Sequence, residues 1–97
     1  MSGVPDSVLP DGLMPVSVTV RYFAAARAAA GSDFETLTVS PGVTVAELVG
    51  QLSYRGHELA QVLNRCSYLC DGVAVRDPQM TVSAGQTIDV LPPFAGG

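Results

Sequence analysis

The chain has 97 residues, a formal charge of −4 and a 47% hydrophobic fraction, which is enough for one small domain with a single core. Its five cations are all arginines, Arg21, Arg27, Arg55, Arg65 and Arg76, and nine acids outnumber them. This excludes the clustered basic surface that nucleic acid requires and favours a partner protein with a basic face. No apolar run approaches the ~20 residues that span a bilayer, and no basic segment followed by an apolar stretch marks a secretory signal. Two cysteines, Cys66 and Cys70, are too few for a disulfide framework and have no zinc-type spacing, so a reducing, cytoplasmic setting is expected.

Residues 1–14 are rich in Pro, Gly, Asp and Ser without periodicity and read as a disordered leader. Residues 15–91 read as the domain, and residues 92–97 as a flexible tail. Residues 16–23 alternate strictly, with Val16, Val18, Val20 and Tyr22 on one face and Ser17, Thr19, Arg21 and Phe23 on the other: a half-buried strand. The alanine-rich stretch 24–30, closed by Gly31, predicts a short helical turn. Residues 34–39 predict a second strand with Leu37 and Val39 inward, followed by a Pro41-Gly42 turn.

Thr44 and Glu47 have the spacing of a capping box, and Val45, Leu48, Val49 and Leu52 form an apolar stripe behind it. Leu59, Val62 and Leu63 predict a second short helix or 3₁₀ turn over 58–64. Residues 67–70 and 73–75 flank Asp71-Gly72, a type I′ hairpin signal. Residues 87–91 form the last strand, with Ile88 and Val90 on one face and Asp89 and Leu91 on the other. This order predicts an α+β fold: a mixed sheet with one main helix across one face, and the first and last strands parallel neighbours at its centre.

No side chains assemble into catalytic machinery. His57, the single histidine, sits in a polar stretch and reads as a surface residue; Cys70 reads as a small core residue. The carboxylates are scattered on turns and helix starts, and no glycine-rich phosphate loop is present. A self-contained enzyme is not expected, nor a metal site or a bound cofactor.

Two features remain. If the valine face packs on the helix, Arg21, Phe23, Asp89 and Leu91 share the other face. They form either a partner patch or a surface shielded by the 24–30 turn or the leader. The second feature is the ending Pro92-Pro93-Phe94-Ala95-Gly96-Gly97. Prolines cannot donate to a sheet ladder, so the chain should leave the domain extended at Pro92. With glycine near ~7% of residues, two terminal glycines arise by chance in roughly 0.5% of chains, so the ending gains meaning only from a domain that presents it. Ala95, Gly96 and Gly97 are slim enough to enter a narrow tunnel backbone-first.

Three stretches together resemble the ubiquitin-like β-grasp sulfur carriers, and among them the small subunit of molybdopterin synthase. They are Val20-Arg-Tyr-Phe-Ala-Ala-Ala-Arg27 with Gly31, Val43-Thr-Val-Ala-Glu-Leu48, and residues 85–97 with the Leu-Pro-Pro-x-x-Gly-Gly ending. The likeness covers residues 15–97; Asp71-Gly72 and Phe94 depart from the common pattern. The resemblance implies that a ubiquitin-type adenylating enzyme spends ATP to activate the Gly97 carboxylate, and a sulfur donor protein converts it to a thiocarboxylate. The tail residues Pro92, Pro93, Phe94, Ala95 and Gly96 then thread it into the large synthase subunit, where sulfur passes to a pterin precursor in molybdenum cofactor biosynthesis. Carriers for thiamine thiazole or cysteine synthesis, and ubiquitin-like modifiers or binding modules, share the same outline.

Overall fold

The computed structural model describes residues 14–93. All but Met14 of the leader expected over residues 1–14, and the tail residues Phe94, Ala95, Gly96 and Gly97, lie outside the described residues. Five strands and three helices follow in the order β1 (Val16–Tyr22), α1 (Ala24–Ala30), β2 (Phe34–Val39), α2 (Val45–Ser53), α3 (His57–Leu63), β3 (Ser67–Cys70), β4 (Val73–Ala74) and β5 (Thr87–Leu91). The sheet order is β2-β1-β5-β3-β4. Only β1 and β5 run parallel, with Val20 beside Ile88 and Tyr22 beside Val90; the other pairs are antiparallel. A parallel neighbour needs a long crossover, and everything between β1 and β5 supplies it. The first and last strands are therefore adjacent and parallel, as their alternation predicts.

One face of the sheet is the core. Val18, Val20, Tyr22, Ile88 and Val90 are buried against Val45, Leu48 and Leu52 of α2, with Leu59 and Leu63 of α3 extending the layer. The start of α2 is fixed twice. The Thr44 hydroxyl accepts from the Glu47 N–H at 3.1 Å while Glu47 Oε1 accepts from the Thr44 N–H at 2.9 Å. The next orphan donors of the helix, the N–H groups of Val45 and Ala46, reach the carbonyls of Met80 and Pro78 at 3.0 and 2.9 Å. The irregular segment before β5 thus serves as the external cap of α2, and a Thr44–Thr81 bridge holds it there.

Turn chemistry places the remaining elements. Gly31 ends α1 in the left-handed region at φ 83, its N–H bonded to the Arg27 carbonyl. Asp71 and Gly72 both have positive φ, 49 and 83, as a type I′ hairpin requires. The Asp71 carboxylate also accepts from the Thr87 N–H at 2.9 Å, tying the hairpin to the start of β5. Beyond the hairpin, the strand expected over 73–75 shortens to Val73–Ala74, because the chain turns away at Asp77-Pro78 to reach the α2 N-terminus. Behind β2, the Tyr22 hydroxyl donates to Glu35 Oε2 at 2.6 Å, and Arg55 Nη1 donates to the same oxygen at 2.6 Å. Burial, and then the bond to Glu35, push the Tyr22 phenol well above its ordinary pKa.

Candidate functional site

β5 delivers the chain to its tail from the middle of the sheet. Its ladder to β1 reaches Tyr22 beside Val90, with a further bond from the Phe23 N–H to the Val90 carbonyl at 3.3 Å, and its ladder to β3 ends at Leu91 beside Ser67. Pairing then stops. Pro92 is half-buried and Pro93 exposed, neither with an N–H to offer either neighbour. The exit is anchored in a central strand, so residue 93 leaves from a fixed point.

The face of the sheet away from the helices surrounds this exit. Arg21 and Asp89 are direct cross-strand neighbours, and their side chains form a two-pronged pair, Nε to Oδ1 at 2.6 Å and Nη2 to Oδ2 at 2.9 Å. The guanidinium also lies over the Phe23 ring, 5.5 Å from its centroid. The hydrogen bonds to Asp89, and then its charge, raise the Arg21 pKa above the ordinary arginine value. Phe23 is 38% exposed and Leu91 half-buried. Among the described residues neither α1 nor any other element hides Phe23, which removes shielding by the 24–30 turn; shielding by the leader lies outside the described residues.

Asp89 differs from the expectation that it stands exposed with the others. Only 6% of it is accessible, because Arg21 lies across it. A carboxylate held so far from water needs its counter-charge, so Asp89 fixes Arg21 while Arg21 meets the solvent. Two further residues complete the face and were not singled out from the sequence. Phe34 stands opposite Arg21 on β2 and is 61% exposed; Leu69 stands opposite Asp89 on β3 and is half-buried. Their signal was the period-2 alternation of β2 and β3, which puts Phe34 with Thr36 and Leu69 with Ser67.

The groups that could serve other chemistry are placed elsewhere. His57 is exposed at the start of α3. Cys66 donates its thiol to the Val62 carbonyl at 3.2 Å, and Cys70 is in the core; burial raises both thiol pKa values, which disfavours the reactive thiolate. Among the described residues no cluster of three His, Cys, Asp or Glu side chains could hold a metal ion, and no helix is long and apolar enough to cross a membrane.

The family model described as the ThiS family matches residues 20–97. The chain belongs to the ThiS family. The match runs from the middle of β1 through both glycines of the tail. Among solved structures, the chain is similar to a putative molybdopterin converting factor subunit 1 from Pyrococcus furiosus, at 24% identity and TM-score 0.73 over 81% of this chain and 99% of that one. It is similar to the small archaeal modifier protein SAMP1 from Haloferax volcanii, at 24% identity and TM-score 0.73 over 84% and 99%. It is also similar to a chain in the complex of subunits 1 and 2 of molybdopterin-converting factor from Helicobacter pylori, at 21% identity and TM-score 0.60 over 84% and 100%. At these identities the structural likeness carries the fold, and that fold is the ubiquitin-like β-grasp.

Proposed function

We propose that this ThiS-family chain is the sulfur-carrying small subunit of a molybdopterin synthase. The observation that carries the proposal is the exit of the chain: a central strand whose pairing ends at Leu91, two prolines, then a short tail closed by Gly96-Gly97. In this reading the Gly97 carboxylate attacks the α-phosphorus of ATP on a ubiquitin-type adenylating enzyme, and pyrophosphate leaves. The terminal sulfur of a persulfide on a sulfur donor protein then attacks the acyl carbon and AMP leaves. A thiol reduces the S–S bond of the resulting acyl disulfide, releasing the donor as its thiol and leaving a thiocarboxylate. Unlike a carboxylate, the thiocarboxylate is a competent sulfur nucleophile at neutral pH. The slim tail carries it into the large synthase subunit, which supplies the acid–base groups while sulfur passes to the pterin precursor.

The open sheet face suits the docking step. Phe23, Phe34, Leu69 and Leu91 offer apolar contact around an arginine whose position is fixed before binding. Aromatic residues and arginine are the side chains most enriched at interface hot spots. The Helicobacter pylori complex of subunits 1 and 2 supports a large-subunit partner for a chain of this fold. A modifier role is the second reading, supported by the likeness to SAMP1; there the activated Gly97 would be joined to an amine of another protein. ThiS-family membership equally accommodates a carrier for thiamine thiazole or cysteine synthesis.

Intact-mass spectrometry tests the proposal. The full chain is incubated with an adenylating enzyme, ATP and a sulfur donor, then with the large subunit and the pterin precursor. The expected result is replacement of one Gly97 oxygen by sulfur and its loss on molybdopterin formation. A chain that takes up no sulfur, or is recovered only as an amide conjugate, contradicts it.

A further inference from the structure

The two edges of the sheet are built differently. The β4 edge is two residues long and is followed, one residue on, by Arg76, Asp77 and Pro78, a short strand blunted by charge and proline. The β2 edge is six residues long, has no lysine, proline or bulge, and stays in unbroken register with β1 from Val39 to Phe34. The Tyr22 N–H donates to the Asp33 carbonyl at 2.8 Å. The alternation of an antiparallel ladder then turns the N–H and C=O groups of Asp33, Glu35, Leu37 and Val39 towards β1, and those of Phe34, Thr36 and Thr38 outward. Among the described residues no strand pairs with that outer edge, and Phe34, Thr36 and Thr38 are all exposed.

We propose that the outer edge of β2 is a pairing surface for the same edge of a second copy of this chain, centred on Thr36. The edge is self-complementary. With the two-fold axis at Thr36, Phe34 faces Thr38 of the second copy, Thr36 faces Thr36, and Thr38 faces Phe34. These three residues are the ones whose backbone groups point outward, so every pair exchanges both of its hydrogen bonds. The register keeps each side chain on its own face of the sheet, where a one-residue slip would not. It places Phe34 against a β-branched threonine and Thr36 against threonine, both favourable cross-strand pairs.

Charge permits the contact as well. Glu35 meets Leu37 of the second copy instead of its own counterpart, and its charge is already matched by Arg55 at 2.6 Å. The contact is isologous, so it closes at two copies and does not propagate along the β2 edge. The axis stands perpendicular to the sheet and sends the two β5 ends in opposite directions. Both Pro92-Pro93 exits stay open, and the inference does not depend on the sulfur-carrier reading.

The test follows mass and amide exchange of the full chain across a concentration series. Sedimentation should rise from the mass of one chain to that of two. The amides of Phe34, Thr36 and Thr38 should exchange fast when dilute and slow by about tenfold or more as the dimer forms, while those of Glu35 and Leu37 are protected throughout. Thr36→Pro removes an N–H that β1 does not use and should hold the chain at the mass of one copy; Thr36→Lys, with no backbone constraint, should do the same and decides the matter if the proline variant misfolds. A wild-type chain that remains single at every concentration overturns the proposal. So does a dimer in which residues 34, 36 and 38 still exchange fast, one that both Thr36 variants form equally well, or protection of those amides already in the dilute chain.

Discussion

The inner and outer faces of β1 and β5 alternate along the same two strands, yet they are organised for different ends. Inward, Val18, Val20, Tyr22, Ile88 and Val90 are at most 2% exposed and meet α2. Outward, the same strands carry an ion pair, an exposed phenylalanine and a half-buried leucine. The inner face gains its stability from area removed from water. The outer face leaves apolar area uncovered and fixes one charge with another. In the proposed reading, stability and recognition are thus separated by a single residue step, and substitutions on the two faces should separate in the same way.

The largest expected effect is on the inner side. Leu48→Ala, at a fully buried α2 position that faces the sheet, should cost ~2–5 kcal/mol in denaturant unfolding. Phe23→Ala and Leu91→Ala should do the reverse, weakening affinity for the large synthase subunit by ~2 kcal/mol or more with a smaller loss of stability than Leu48→Ala. Unchanged affinity in both would move the interface off this face. Within the ion pair the two partners are not equivalent. Arg21→Ala strands a buried carboxylate, whereas Asp89→Asn leaves a half-exposed guanidinium that water can solvate. The arginine variant should therefore melt lower than the asparagine variant, and the opposite order would show that Asp89 is not held by Arg21.

Smaller effects sharpen the inner side. Thr44→Ala should cost ~1 kcal/mol by removing one half of the α2 capping box, read as a fall in unfolding midpoint at unchanged slope. The tyrosines give a pH test. Tyr22 and Tyr68 are both shifted above the ordinary value of 10.0, chiefly by burial. The folded state therefore holds these protons after the unfolded state begins to lose them. Their contribution should be complete below pH 10 and decline as pH rises above it, with Tyr22→Phe reducing the slope of stability against pH in that range.

The parts of the fold legible in the sequence were those set by neighbours along the chain. The Thr44–Glu47 capping box, the Gly31 stop and the Asp71-Gly72 hairpin each depend on residues within a few positions, and each is present with the expected geometry. The strand alternation was equally local, and it placed Arg21, Phe23, Asp89 and Leu91 on one face. What it could not supply was depth. Asp89 is buried because a residue 68 positions away lies across it, and composition along β5 holds no trace of that. Phe34 and Leu69 join the same face only once the strand order and register are known. The capping of α2 by Pro78 and Met80 likewise joins segments that sequence periodicity reads as unrelated. For the site, the Gly97 ending and the exit at Pro92 were readable as chemistry, while the surface that would dock it required the fold.

The central claim is that Gly97 carries the reacting group on a domain that otherwise only presents it. Deleting Gly97 withdraws the carboxylate by ~3.3–3.6 Å of extended chain, where a misplacement of ~1 Å can already cost about 10²-fold in rate. The decisive measurement is molybdopterin formation by the large subunit supplied with either the full chain or the chain lacking Gly97, each first treated with adenylating enzyme, ATP and sulfur donor. The account predicts product from the full chain and essentially none from the shortened one, with identical circular dichroism and melting. Comparable product from both would contradict it.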